Sequence, residues 1–467
     1  MKTQKKHVND FGNDSVPGLV LRVSVPFMFA QFVNVMYSIV DRIYIGNIPA
    51  AGADSLAGAG VCAPIITLLS SFATLIGIGG SILFSMRLGQ NDKKDAEKIL
   101  GNCFSTLILF SAALTLIFLL SKGMLLHWFG ASDVTYPYAN TYLTIYTCGT
   151  FFALLSMGMN YFITAQGYPL LGMVTTLIGA ILNIILDPLF IFVFHMDIAG
   201  AAVATVLAQL ASCIFVLCVL YRKSMPVPLH LRRPDPVLVK RILALGFSPF
   251  LILATDSIII IAMNAVLQYH GGPGYGDTLI TCATIVQSYM MLITSPMLGI
   301  TGGSQPLISF NYGANKPERI RKIVFCVLML CIGFTSFMFL VSRFLPAAFA
   351  GIFTNNAEYI ELSVWGIRAF TMMIIPLSLQ YTFVDSLTAL GMTGLSLFLS
   401  LFRKTTYFVA TCLLPFAFTA ASAFYAEPIA DGMAALTSTT AFAIVYMKYL
   451  KGTGSLMEIG TGRGQAA

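Results

Sequence analysis

The sequence predicts an all-α polytopic membrane protein: twelve transmembrane helices arranged as two six-helix bundles with pseudo-twofold symmetry. Three observations predict it. Of 467 residues, 57% are hydrophobic and only 10% charged, with a mean hydropathy of +0.82, too little charge to cover a water-soluble surface. Apolar runs of about 20 residues, the length of a bilayer-crossing helix, recur from one end to the other. The chain also repeats itself at a fixed offset.

Backbone amides in hydrocarbon must bond internally, so the apolar runs are read as helices; the alternating segments of a membrane barrel are missing. Spans are predicted at 18–45, 57–86, 98–120, 137–160, 168–194, 198–221, 239–268, 279–309, 319–345, 357–386, 393–418 and 431–449. The opening MKTQKKHVNDFGNDS is polar and leads into a long span, unlike a cleavable signal peptide with its short apolar core. Basic residues then alternate with the loops. Lys2, Lys5 and Lys6 precede the first span, and Arg87, Lys93, Lys94 and Lys98 follow the second. Arg222, Lys223, Arg232, Arg233, Lys240 and Arg241 follow the sixth, Lys316, Arg319, Arg321 and Lys322 the eighth, and Lys448 and Lys451 the last. The loops NIPAAGADSLA and HGGPGYGDT carry none. By the positive-inside rule both termini are cytoplasmic, which requires an even number of spans. The net charge of +7 is thus a topology signal with a weak pull toward anionic lipid, not a nucleic-acid footprint.

The repeat places RLGQNDKKDAEKIL (87–100) on NYGANKPERIRKIV (311–324), an offset of 224 residues from Gly89 to Gly313. The same offset takes Gly79 to Gly303, Ser85 to Ser309, Phe129 to Phe353 and ITAQG (163–167) to LTALG (387–391). One residue less takes Pro26 to Pro249 and Asp41 to Asn264. Six spans per half put both halves in one orientation, so the pseudo-twofold runs along the membrane normal, with substrate expected between the halves. The expected divisions are a cytoplasmic tail (1–16), a first bundle (17–222), a cytoplasmic linker around RRPDP (223–238), a second bundle (239–450) and a flexible tail (451–467).

An ionisable side chain at mid-bilayer costs about 2.5 kcal/mol or more, so each such residue needs a local reason. Asp41 falls near the outer end of span one. Asn183 and Asp187 share one face of span five, four residues apart, and span six descends to bring Thr205 to a similar depth. At 1.5 Å per residue all four lie roughly 8–16 Å below the outer boundary. Two carboxyls, an amide and a hydroxyl at one depth suit a hard monovalent cation or a shared proton. The plainer alternative pairs Asp41 with Arg42 or lipid headgroups and leaves Asp187 as a helix cap. Pro26 bends span one, either statically or as a hinge.

In the second half, Asp256 in span seven and Arg403 with Lys404 in span eleven either neutralise one another or form a substrate or proton site. Asp385 is placed at a solvated helix end, and Glu361 with Arg368 as a structural pair two turns apart. Tyr37 and Met290 stand for the many Tyr and Met side chains that either line a cleft for organic cations or pack in the core. The nine cysteines read as small buried hydrophobes, and the five histidines form no ligand cluster. No phosphate loop or TVGYG filter occurs, so transport energy is expected from an ion gradient or from a separate partner.

The segments PFMFAQFVNVMYSIVDRIYIG (26–46), LNIILDPLFIF (182–192), AGAAVATVLAQ (199–209) and SFNYGANK (309–316) resemble the multidrug and toxic compound extrusion (MATE) family, in its bacterial MepA-like and DinF-like branch. The resemblance spans about residues 15–450. It implies a non-enzymatic antiporter of the bacterial cytoplasmic membrane, exporting amphipathic, often cationic, small molecules against Na⁺ or H⁺. It implies the same coupling site, Asp41, Asn183, Asp187 and Thr205, with no other cofactor or metal. Another branch uses acids in helices seven and ten; Asp256 lies near the first but out of register, and Asp385 does not match the second. A monomer is expected. The competing readings are a flippase for a lipid-linked precursor or an exporter of an anionic metabolite, with a cationic cavity around Arg403 and Lys404, and, third, a membrane scaffold.

Overall fold

The structure is a computed structural model that describes residues 9–451 except 50, 130, 273, 274 and 355. Lys2, Lys5 and Lys6 and the tail from 452 lie outside the described residues. Among the described residues the chain is helical, has no strand, and contains 12 helices long and apolar enough to cross a membrane. In order these are α1 (Val16–Gly46), α2 (Gly52–Gly89), α3 (Lys93–Trp128), α4 (Tyr136–Ala165), α5 (Pro169–Pro188), α6 (Asp197–Leu220), α7 (Pro236–Gly271), α8 (Tyr275–Gly313) and α9 (Pro317–Phe344). A short α10 (Pro346–Ala350) precedes α11 (Ala357–Phe370) and α12 (Ile374–Ala389), which a 3₁₀ turn at Thr371–Met373 joins into one span. α13 (Thr393–Ala417) and α14 (Ala426–Val445) complete the set.

Local chemistry sets several of these starts. Proline stands in the first turn of α1, α4, α5 and α9, where its missing N–H leaves nothing unpaired. The side chains of Asp92 and Asn356 accept the first free amides of α3 and α11. The last span departs from expectation. It starts with a 3₁₀ segment at Ala420–Tyr425, some ten residues before the predicted 431, because Pro428 falls in the first turn of α14, where proline does not break a helix.

The internal repeat extends to the backbone. At an offset of 224, α2 and α8 end on Gly89 and Gly313, α3 and α9 start on Lys93 and Pro317, α4 and α12 end on Ala165 and Ala389, and α5 and α13 start on Pro169 and Thr393. The turns between them match as well. Asn91 and Asn315 take φ of 61° and 53°, and Gly167 and Gly391 take 91° and 82°. Left-handed backbone favours Gly and Asn, so the same residues recur where the chain reverses.

Two compact units emerge, residues 1–253 and 254–467, dividing inside α7. In the first unit, α4 packs between α2 and α6, and α5 between α1 and α6. The first half of α7 belongs to this unit and crosses α2 closely. A methyl group on Gly246 would overlap the Leu75 carbonyl, and one on Gly79 the Ile242 carbonyl. The polar linker is bound here too. Met225, Val227 and Leu229 are buried, Val227 N donates to Gln166 Oε1 at 2.9 Å, and Arg232 pairs with Glu97 at 2.8 Å. In the second unit, α8 packs on α9, α11 and α12, while α14 lies against α12 and α13.

Candidate functional site

In the first unit, the acidic residue of α5 occupies a point where the helix changes form. Asp187 is followed by Pro188, which has no N–H for the carbonyl four residues back, and the chain widens into a π-helical turn at Leu189–Val193. One turn earlier on the same face, Asn183 Nδ2 donates to Asp187 Oδ1 at 3.1 Å and to Thr205 Oγ1 of α6 at 3.2 Å. Thr205 in turn donates to the Ala201 carbonyl at 3.0 Å, the back-bond that fixes its rotamer. Asp187 is fully buried and Asn183 nearly so. Asp41 of α1 turns its carboxyl toward that of Asp187.

The four residues expected at one depth therefore meet. What distinguishes them is an excess of acceptors: Asp41 Oδ1, Asp187 Oδ2 and Asn183 Oδ1 are buried without a hydrogen-bond donor. Unpaired buried acceptors are costly, and a small cation or a proton satisfies several at once. No ion pair within 4.0 Å joins Asp41 to Arg42 among the described residues, although the Arg42 charge acts on Asp41. Nor does any group of three or more His, Cys, Asp or Glu side chains converge as a metal site among those residues.

Asn183 and Thr205 also face a cavity of about 330 Å³ within this unit. Its walls include Gln31, Asn34 and Tyr37 of α1, Asn160 and Tyr161 of α4, and Gln209 of α6, with no charged side chain in the lining. Aromatic faces and neutral amides thus border the acidic cluster, with the amide and hydroxyl shared between the two. Tyr37 is placed here as a cavity residue. Pro26 is buried in α1, which continues as a helix through it.

In the second unit the neutralising alternative holds for Lys404, which pairs with Asp256, but not for Arg403. Arg403 donates from Nε to Asp431 Oδ1 at 2.8 Å and from its terminal nitrogen to Glu427 Oε1 at 2.6 Å, both on α14. Successive helical residues point about 100° apart, so only one of the two can face α14. The predicted span 431–449 leaves Glu427 outside and begins at Asp431; the earlier start of that span carries both in. The one available signal was their spacing of four, which stacks them on one helical face.

Met290 is buried at 6% exposure, the core-packing alternative of its two readings. Other expectations are corrected. Asp385 is half-buried and turned toward Thr301 and Gln305, because α8 packs along α12 and covers the end predicted to be solvated. Arg368 donates to the Arg343 carbonyl at 3.2 Å, and no ion pair links it to Glu361 among the described residues. Five cysteines are buried, whereas Cys148 and Cys218 are exposed.

Comparison with known proteins places this arrangement. A sequence model of the family described as MatE matches residues 26–189 and 253–411, well over half of the chain. Multidrug export protein MepA of Staphylococcus saprophyticus is 24% identical over 383 residues, covering 82% of this chain and 83% of its own. MepA of Staphylococcus aureus is 23% identical over 378 residues, covering 80% and 81%. A solved structure described as the outward-facing conformation of a multidrug resistance MATE family transporter of the MOP superfamily superposes with a TM-score of 0.88 at 20% identity, covering 96% of this chain and 100% of that one. A MOP superfamily transporter from Pyrococcus furiosus, whose binding pocket is described as reversed in polarity, gives a TM-score of 0.88 at 20% identity, covering 97% and 100%. These likenesses establish the shared twelve-helix fold. The chain belongs to the MATE family: it is a multi-pass membrane transporter and not an enzyme.

Proposed function

We propose that this protein is a cation-coupled exporter of amphipathic, cationic small molecules, with Asp41, Asn183, Asp187 and Thr205 as its coupling site. The observation that carries the reading is the set of three buried acceptors, Asp41 Oδ1, Asp187 Oδ2 and Asn183 Oδ1, left without a donor. Na⁺ or H⁺ taken up there neutralises the carboxyls and changes the wall that Asn183 and Thr205 contribute to the cavity. Export is driven when ion and substrate each weaken the other's bound state; shared residence alone would not couple them. The names of the staphylococcal relatives, multidrug export proteins, support the substrate class. The alternating basic residues support cytoplasmic termini in a bacterial cell membrane, and Pro26 is the hinge in this reading.

The flippase and anion-exporter alternatives ask for a basic lining. The cavity of the first unit contains no Lys or Arg, and Arg403 and Lys404 are engaged with carboxylates, which counts against them. The test is ethidium efflux from cells expressing the protein, with the Na⁺ and H⁺ gradients collapsed separately. Efflux that stops with one gradient names the ion. Efflux that persists without either, or that Asp187→Asn leaves unchanged in a folded protein, sinks the proposal.

A further inference from the structure

The second unit holds a charged cluster that the coupling scheme does not use. Glu427 and Asp431 stand one turn apart on α14, and the Arg403 guanidinium of α13 binds one oxygen of each. Asp431 has no exposed surface, while the Glu427 side chain is 15% and that of Arg403 12% exposed. Asp431 Oδ2 is buried and has no hydrogen-bond partner. Lys404 pairs with Asp256 and also lies within electrostatic reach of Glu427 and Asp431. The other charged or titratable groups around Asp431 are Tyr407 on α13 and Tyr381 with Asp385 on α12, besides Glu427 on its own helix.

Counting charge decides what this cluster lacks. Arg403 and Lys404 supply two positive charges against three, from the fully buried Asp431, the nearly buried Glu427 and Asp256, whose side chain is 41% exposed. An unbalanced carboxylate in a dry interior is severely penalised unless something neutralises it. The fold does not demand these charges. At the offset of 224, the first unit has Gly179 and Ala180 where Arg403 and Lys404 stand, and Val203 and Leu207 where Glu427 and Asp431 stand. Equivalent helices thus pack with no charge at those positions.

We propose that Asp431 is a proton-binding site of the second unit, separate from the Asp41–Asp187 cluster. Arg403 holds Oδ1, and the proton adds to Oδ2 to give a neutral carboxylic acid. Arg403 then balances Glu427 while Lys404 balances Asp256. A single orphan oxygen suffices for a proton, whereas a metal cation needs several oxygen ligands.

The test is infrared difference spectroscopy of the full-length protein in lipid bilayers between acidic and alkaline pH, read in the protonated-carboxyl C=O stretch. The expected result is a band that survives in Asp41→Asn and Asp187→Asn, disappears in Asp431→Asn and shifts in Asp431→Glu. Asp431→Glu keeps a carboxylate for Arg403, which guards against a variant that fails to fold. If every band stays in place in Asp431→Glu, the site is not protonated and the proposal is overturned. A band removed by Na⁺ at constant pH also overturns it, by assigning Oδ2 to a metal ion. Because the Asp41 and Asp187 variants are read separately, failure of the coupling proposal leaves this result intact.

Discussion

The two units share a backbone plan yet carry opposite chemistry at corresponding positions. Asn183 and Asp187 of α5 become Tyr407 and Thr411 of α13, and Gly179 and Ala180 become Arg403 and Lys404. The first unit keeps small residues beside an acid pair and retains a cavity bordered by neutral amides. The second projects two long cations into the same stretch of helix and meets them with carboxylates from α14 and α7. Turn conformations, helix ends and small packing residues have thus stayed matched while the functional side chains diverged. What duplication preserved is the geometry of chain reversal; what it released is the interior polarity of each half.

Variants at corresponding positions break or sharpen this contrast. The largest effect is expected from Asp187→Asn, which removes an ionisable partner of Asp41 while keeping the Asn183 hydrogen bond: gradient-driven ethidium efflux should fall to the level of cells lacking the protein. Arg403→Leu comes next. It leaves the Glu427 carboxylate without its cation and Asp431 Oδ1 without its donor, and should lower unfolding stability in detergent by about 3–5 kcal/mol. Adding Glu427→Val and Asp431→Leu, which restores the uncharged pattern of the first unit, should recover most of that loss; no recovery would show that the charges are required by the fold. Gly246→Val, where α7 crosses α2, should cost about 1–3 kcal/mol by overpacking, seen as a lower melting temperature. Smallest is Thr205→Val, which removes the Asn183 hydrogen bond, of about 1 kcal/mol, along with the back-bond to Ala201, and should raise the cation concentration for half-maximal efflux roughly fivefold. An unchanged concentration would separate Thr205 from the coupling site.

Much of this was legible beforehand, for identifiable reasons. Span count follows from apolar length, and the repeat from glycines and asparagines that left-handed turns require at fixed places, such as Asn91 and Asn315. The meeting of Asn183, Asp187 and Thr205 follows from helical period and depth, both readable from spacing. Partner choice in the second unit was not, because hydropathy averages over about 20 residues and so blurs a span end that contains Glu427, Pro428 and Asp431. Which of Arg403 and Lys404 faces α14 depends on helix rotation, which packing sets. The 3₁₀ break at Thr371–Met373, by contrast, has a signal in Pro376, which has no N–H for the Met372 carbonyl four residues back.

The linker has a consequence for biosynthesis. Asn102, Ser105 and Gln166 all bond to backbone between residues 227 and 235, beyond the end of α6. A nascent chain inserted as far as Leu220 has made its first six helices but not the strap that satisfies these polar groups. Fragment complementation that divides the chain at 222 would leave Gln166 and the seat of Met225 and Leu229 open on one piece, inviting quality-control proteases. Extending the first piece through Asp235 carries those partners with it, so the covalent boundary between halves is better drawn after the strap than before it.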